Sequence, residues 1–472
     1  MGGSRGVEMV QPDTIAAIGT APGPSALAVV RLSGSGAFSI VRRICPSLPP
    51  DPEPRSVLLA RAQDPETGDP LDQVLVTFFP GPDSYSGEDL AEISSHGGWL
   101  SPVLILEACL GAGARRAEEG EFTRRAYLNG KMDLLQVEAV GDLVEGRSRA
   151  LHETAIHQLE RGLSERVGGL REGLVHLEAL LVHHLDFPEE DDPPIPLQEI
   201  VKRAEELEVV MGGLLRTAPE GELLREGAVT VLAGRPNSGK SSLFNALIGE
   251  DRAIVTEVPG TTRDALEAVV SMGGFPFRLV DTAGLRETEE RVEKIGVEVA
   301  RRYLGEADVI LFCAEGNRPL DFEELGFLEE LSSTPVILLR TKMDVKPEDG
   351  GGVGEGMVRG PEDEVKVGAI PLSIMTGEGL GQLKKALPAL VFGGLVEMAS
   401  EVPVLTRRRH TQGIRRALGE LQAFRQALTS GVPAEAAATH LRPAETALEE
   451  LLGIIPRDEI LDKLFRDFCI GK

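Results

Sequence analysis

Gly234-Arg235-Pro236-Asn237-Ser238-Gly239-Lys240-Ser241 decides how this chain is read. The apolar run Val229-Thr230-Val231-Leu232-Ala233 precedes it, and the helix-like Ser242-Leu243-Phe244-Asn245-Ala246-Leu247 follows. A strand feeding a G-x-x-x-x-G-K-S/T loop that opens a helix is the context a phosphate-binding loop needs. The glycines let successive backbone N–H groups curl round phosphates, and the helix N-terminus adds the positive end of its dipole. Lys240 then reaches the β- and γ-phosphates and the Ser241 hydroxyl can ligate Mg2+, while Asn237, Ser238, Gly239 and Ser242 complete the loop. The bare pattern also arises by chance, so the residues downstream must decide.

Those residues follow in order. Gly260-Thr261-Thr262-Arg263-Asp264 offers a threonine hydroxyl, Thr262, that can close on Mg2+ when a γ-phosphate is present. Asp281-Thr282-Ala283-Gly284 ends the apolar run Phe277-Arg278-Leu279-Val280, which puts Asp281 at a strand tip facing the metal. Thr341-Lys342-Met343-Asp344 follows the strand Val336-Ile337-Leu338-Leu339. The Asp344 carboxylate can take two hydrogen bonds from a guanine edge, and adenine lacks both donors. The nucleotide read from this series is GTP. Singly, each piece also reads as a Gly-rich turn, a strand-end Asp or a solvated Lys-Asp pair.

With 472 residues the chain is too long for one core and is expected to hold two to four domains. A net charge of -26 argues against a protein that wraps nucleic acid unaided, so RNA contact must be local or borrowed from a partner. The four cysteines, Cys45, Cys109, Cys313 and Cys469, show neither zinc spacing nor a disulfide framework, which fits a reducing cytosol. Residues 1–12 lack an apolar leader and no run of 18 apolar residues occurs, so a soluble cytoplasmic protein without a membrane span is expected.

From Thr14 to about Asn129 the signals are mixed α and β, with strands expected at Leu27–Leu32 and Val74–Phe79. Its polar marks are Arg31, Gly87-Glu88-Asp89, Glu92, His96-Gly97-Gly98 and Gly120-Glu121-Phe122-Thr123-Arg124-Arg125. Each has a plain alternative: Glu88 and Asp89 as first-turn charges, His96-Gly97-Gly98 as a turn, Arg124-Arg125 as a solvated face. Helical spacing runs from Lys131 to Leu185, and Leu197 to Arg216 reads as a further helix. His183 and His184 beside the acidic run Glu189-Glu190-Asp191-Asp192 lack metal-ligand spacing. Strands then alternate with helices from Glu222 to about Leu390, the pattern of a doubly wound parallel sheet. Three helical stretches from Leu405 to Phe468 close the chain, so the nucleotide domain reads as an insertion into a helical one. Asp344 to Val367 is Gly- and Glu-rich and reads as a surface loop.

The chain resembles the tRNA uridine 5-carboxymethylaminomethyl modification GTPases, the MnmE or TrmE family. Besides the GTPase motifs, the resemblance rests on Gly120-Glu121-Phe122-Thr123-Arg124-Arg125-Ala126-Tyr127-Leu128-Asn129-Gly130-Lys131-Met132-Asp133-Leu134, on Asp281-Thr282-Ala283-Gly284-Leu285-Arg286-Glu287, and on the terminal Phe468-Cys469-Ile470-Gly471-Lys472. It implies a multidomain α/β fold: an N-terminal α+β folate-binding and dimerisation domain over 10–130, an all-α helical domain over 131–221 and 389–472, and an inserted Ras-like P-loop GTPase domain over 222–388 with a doubly wound, mainly parallel sheet.

The resemblance further implies a homodimer that joins a flavin-containing partner of the MnmG or GidA type in a heterotetramer. FAD resides on that partner only, and together the two proteins modify carbon 5 of the wobble uridine in certain tRNAs. A tetrahydrofolate derivative, 5-formyl or 5,10-methylene, falls on Arg31, Glu92, Lys131 and Lys472. Potassium falls on Asn237, with help from Thr256, Val258 and Thr261, while Glu257, Pro259 and Gly260 complete that nucleotide-binding segment. Glu293 is the implied water-orienting glutamate. Leu285 stands where Ras-like GTPases place a catalytic glutamine, so a cation near Asn237 together with Glu293 must serve instead. Cys469, in a short flexible tail, either takes part in one-carbon transfer or packs as a small apolar residue. Two departures stand out: Thr341 replaces the usual Asn, and Ser373-Ile374-Met375 replaces the usual Ser-Ala-Lys of the base-binding loop, which bears on how tightly guanine is held. A pure switch GTPase of the ribosome-assembly kind and an ATP-using phosphotransferase are the competing classes. The first needs neither Arg31, Glu92 and Lys131 nor a Cys469 tail, and Asp344 argues against the second.

Overall fold

The structure is a computed structural model that describes residues 13–186, 196–250, 266–281, 303–331, 334–345, 369–397, 403–455, 461, 464–466, 468 and 471. Its contacts fall into two units, Met1–Gly141 with Glu449–Lys472, and Asp142–Leu448. The last stretch of the chain therefore packs with the first.

In the first unit, β1 (Ile15–Ile18), β2 (Gly23–Ser33), β3 (Leu58–Gln63), β4 (Pro70–Phe79), β5 (Leu90–Gly98) and β6 (Arg115–Arg116) form one sheet in the order β3-β4-β5-β2-β1-β6. Both expected strands lie inside β2 and β4. Alternation sends Val30, Leu32, Val74, Val76, Phe78 and Ile93 to one face. Helices α1 (Ala37–Ile44) and α2 (Ser101–Gly111) cover that face with Ile40, Val41, Ile44, Ile105 and Leu106. Cys45 and Cys109 are buried in this core, and burial pushes both thiols up to about 12, so neither is a reactive thiolate. Against Ile15 and Ala17 on the other side lies Phe122 of α3 (Glu121–Leu128). Leu134 and Val137 of α4 (Leu134–Glu145) pack with Leu461 and Phe465, which is how the chain's end joins this unit.

Three plain readings give way here. Glu88 and Asp89 precede a strand and not a helix: Glu88 takes the Ser33 hydroxyl at 2.7 Å and Arg125 at 3.1 Å. Arg125 is no solvated face, because its side chain is only 11% exposed and also meets Asp13 at 2.6 Å and Glu121 at 3.0 Å. His96-Gly97-Gly98 continues β5, where a Cβ on Gly97 would lie 2.1 Å from the Ser25 carbonyl oxygen, so close strand pairing demands the glycine.

In the second unit, β7 (Ala228–Ala233), β8 (Leu266–Met272), β9 (Phe275–Asp281), β10 (Val309–Glu315), β11 (Val336–Thr341) and β12 (Ile370–Pro371) form a sheet in the order β12-β11-β10-β7-β9-β8. Every neighbouring pair is parallel except β8 with β9. Every residue of the central β7 is buried, as expected where helices cover both faces of a parallel sheet. Alternate residues feed two cores, one with Leu232, Leu279 and Leu311, the other with Val231, Val280 and Ile310.

Helices α5 (Arg149–Leu159), α6 (Gly162–Asp186) and α7 (Leu197–Glu226), with Arg408–Thr429, form the helical part of this unit. α7 runs ten residues past the expected end at Arg216, with Pro219 inside it. Burial of Thr217, Ala218, Gly221 and Leu224 carries the helix through the proline, a case of packing overriding local preference. Asp142, 2% exposed, accepts Arg225 Nε at 3.1 Å and Arg407 Nη2 at 2.5 Å. One buried carboxylate thus holds the helix that leads to β7 and the helix that begins after the sheet.

Candidate nucleotide and folate sites

The first candidate site is built at the carboxyl ends of parallel strands, where doubly wound sheets take their ligands. β7 ends at Ala233 and α8 (Lys240–Glu250) opens at Lys240, so the loop between them lies at a helix N-terminus. Gly234 has φ 134°, and a Cβ there would fall 2.2 Å from the Cys313 carbonyl oxygen. Asn237 adopts φ 64° and Gly239 φ 93°, positive-φ conformations of the kind that let a loop curl round an anion. Lys240 is 6% exposed, and its ammonium donates to the carbonyls of Gly234 at 3.0 Å and Arg235 at 2.7 Å. The Arg235 guanidinium meets Asp321 at 2.8 Å and Glu323 at 2.5 Å, tying the loop to the start of the helix Phe322–Glu330. Asn237, Ser241 and Ser242 are exposed at the loop, while Ser238 is buried.

Register sets Asp281 beside Leu232, two residues before Gly234. Its carboxylate is 1% exposed. With the Ser241 hydroxyl it supplies oxygen donors, the kind Mg2+ takes. The residues expected to read the base are joined directly to the loop expected to hold phosphate. Thr341, 3% exposed, donates its hydroxyl to the Ser238 carbonyl at 2.7 Å, and the Ala314 carbonyl lies 3.2 Å away. The residue that looked like a weakening departure is therefore a strut between the two loops. Ser373, fully buried, donates its hydroxyl to Asp344 Oδ1 at 2.8 Å and leaves the exposed Asp344 carboxylate an oxygen for a base edge. Lys342, at φ 58°, pairs with Glu315, and its ammonium holds that carboxyl below the usual range. Ile374 is partly buried against the core, whereas Met375 is exposed.

The second candidate site lies on the sheet of the first unit. Arg31 and Glu92 are cross-strand partners on β2 and β5, and Arg31 Nε and Nη2 both reach Glu92 Oε1, at 2.9 and 2.7 Å. The guanidinium carbon sits 5.5 Å from the Tyr85 ring centre and 5.8 Å from that of Phe122. Lys131 is exposed and its Cγ lies beside Gly87, where a Cβ would approach it to 3.2 Å. The loop Ser84–Glu88 therefore touches both Arg31 and Lys131. Gly471, buried at φ 98°, lies against the end of β1, where a Cβ would come within 2.6 Å of the Ile18 carbonyl oxygen. Ile18 pairs with Val30, next to Arg31 on β2.

Thr256, Glu257, Val258, Pro259, Gly260, Thr261, Thr262, Thr282, Ala283, Gly284, Glu293, Cys469 and Lys472 lie outside the described residues, as does most of the loop from Asp344 to Val367. Sequence reasoning did not single out Tyr85 as a neighbour of Arg31, and Phe122 appeared only inside a motif. An aromatic residue near an arginine of a strand carries no sequence signal until the sheet sets their separation.

Residues 134–469 match the family described as the MnmE helical domain, and residues 14–131 match the GTP-binding protein TrmE N-terminus. The tRNA modification GTPase MnmE of Alkaliphilus metalliredigens is 39% identical over 98% of this chain and 100% of that protein. Proteins of the same name from Geobacter sulfurreducens and Salinibacter ruber are 39% and 40% identical, again over 98% of this chain and 100% of theirs.

Proposed function

Because the chain belongs to the MnmE family of tRNA modification GTPases and is a GTP hydrolase acting in tRNA modification, we propose that it modifies C5 of the wobble uridine using a tetrahydrofolate one-carbon unit. The observation that carries this reading is Gly471, packed against the end of β1. It sets one residue of the C-terminal motif against the sheet that bears Arg31 and Glu92. A pure switch GTPase has no use for that arrangement.

In this reading Arg31, Glu92, Lys131 and Lys472 hold the folate. Arg31 keeps an Nη1 edge and Glu92 an Oε2 free of their mutual hydrogen bonds. They form a donor-acceptor pair suited to a pterin, and the lysines suit its glutamate carboxylates. Cys469 takes part in or positions the one-carbon step. GTP is held by Asn237 to Ser242, by Thr256 to Thr262, by Asp281 to Gly284, by Thr341, Lys342 and Asp344, and by Ser373 to Met375. Mg2+ falls to Ser241 and Thr262. Potassium falls to Asn237, which is exposed in the loop, with Thr256, Val258 and Thr261. Glu293 orients the attacking water.

The protein works as a homodimer with a flavoprotein of the MnmG or GidA type, which carries the FAD, in the cytoplasm. Support for the homodimer comes from exposed leucines on the first sheet, Leu27, Leu59 and Leu75 on β2, β3 and β4. Among the described residues no helix is long and apolar enough to cross a membrane. The test is mass spectrometry of wobble uridines from cells lacking the chain, complemented with the parent or with Cys469→Ser. The parent restores the C5 modification and the variant does not, while GTP hydrolysis by the purified variant stays within about threefold. Restoration by neither protein, or an unmodified-uridine level that never rose on deletion, overturns the reading.

A further inference from the structure

The loop Ser84–Glu88 links two of the residues assigned above to folate, Arg31 and Lys131, while its Tyr85 also packs against the small core of Ile15, Ala17, Ala117 and Phe122. Tyr85 lays its ring 5.5 Å from the Arg31 guanidinium, within the range of a cation–π contact, and the Phe122 ring lies 5.8 Å from the same group. The Tyr85 hydroxyl is fixed by Thr123 Oγ1 at 2.8 Å. The next residue, Ser86, meets Ser33 Oγ at 2.6 Å, two positions along β2 from Arg31. Its carbonyl accepts Asn129 Nδ2 at 2.8 Å, which ties the loop to the turn carrying Lys131. Gly87, at φ 80°, then passes Asn129 and Lys131 so closely that a Cβ would stand 2.9 Å from Asn129 Cβ and 3.2 Å from Lys131 Cγ.

A free arginine side chain samples many rotamers, and ordering it on binding weakens the complex. Here Arg31 is held before any ligand arrives, by Glu92 along one edge and by two ring faces. We propose that Tyr85 is a positioning residue of the one-carbon donor site: its ring fixes the Arg31 guanidinium, and its loop sets the spacing from Arg31 to Lys131, so that a reduced pterin with a carboxylate tail meets both cations in place. This rests on the folate reading above.

The test is isothermal titration of the full-length chain with 5-formyltetrahydrofolate, with the thermal unfolding midpoint of each protein measured alongside. Tyr85→Phe keeps the ring and should bind within about threefold of the parent. Tyr85→Leu removes the ring face and should bind about 5- to 20-fold more weakly. Gly87→Ala disturbs the other end of the loop and should also weaken binding, with GTP hydrolysis unchanged in all three. If Tyr85→Leu fails to fold, Tyr85→Met replaces it, with the same expected loss. Binding by the ring-less variant within twofold of the parent overturns the positioning role, and so does an equal loss in Tyr85→Phe. A parent protein that binds no folate overturns the reading beneath it, a result that the parent titration alone reveals.

Discussion

Replacing Thr341 by Val tests the strut between the base-reading and phosphate loops. Valine keeps the shape of the side chain and deletes its oxygen. The hydroxyl has one proton, and at 2.7 Å the Ser238 carbonyl is its acceptor, with the Ala314 carbonyl at 3.2 Å the second choice. Thr341 is 3% exposed and Ser238 1% exposed, so water cannot easily replace the lost donor. Leaving a buried acceptor unpaired costs about 1–3 kcal/mol. The loss divides between folding and nucleotide binding, because the bond both supports the core and sets the loop that receives phosphates. If about 1.4 kcal/mol falls on binding, affinity drops about tenfold. Titration with a fluorescent GDP, with its dissociation rate, should show 5- to 20-fold weaker binding carried mainly by faster release. Turnover at saturating GTP should stay within about threefold, and Thr341→Ser should resemble the parent. A Thr341→Val protein with unchanged GDP affinity and an unchanged unfolding midpoint would refute the reasoning.

Asp344→Asn exchanges a carboxylate acceptor for an amide that can donate, so GTP binding should weaken about 10²-fold or more while a xanthine nucleotide gains; competition between the two nucleotides reads the switch. Asp142→Ala leaves Arg225 and Arg407 without their shared carboxylate, at a cost of about 2–4 kcal/mol once the partial exposure of Arg225 is discounted, and denaturant unfolding measures it. Burial by itself raises the Glu121 carboxyl, but hydrogen bonds from Arg115, the Glu118 N–H and Arg125 outweigh it and hold the group below its ordinary 4.5. Asp13 is likewise held low, chiefly by its hydrogen bond from Arg115. Folded pKa values below the unfolded ones mean stability that is present above about pH 4.5 and lost as pH falls through the folded values. Glu121→Gln should therefore be less stable than the parent near neutrality, with the gap closing on acidification, as read by urea unfolding at a series of pH values.

The nucleotide domain was legible because its chemistry is written locally. A strand, Gly234 to Ser241 and a helix follow one another without interruption, and parallel strands bring Asp281 and Thr341 to the same edge of the sheet as the end of β7. Periodicity likewise gave β2 and β4, since alternation of burial is a property of adjacent residues. The end of α7 was misread because Pro219 is a local signal, whereas burial of Ala218 and Leu224 against distant residues is not.

What only the tertiary structure decided concerns polar side chains whose partners are remote in sequence. Thr341 looked like a defect until its hydroxyl was found on the Ser238 carbonyl, 103 positions away. Arg125 looked solvated until Glu88 and Asp13 closed round it, and Arg31 was a lone strand arginine until Glu92, Tyr85 and Phe122 were seen to hold it. A charged or hydroxyl side chain reads the same in a sequence whether solvated or buried. Desolvation forces the choice of partner, and it takes effect only when folding brings the partner within about 3 Å.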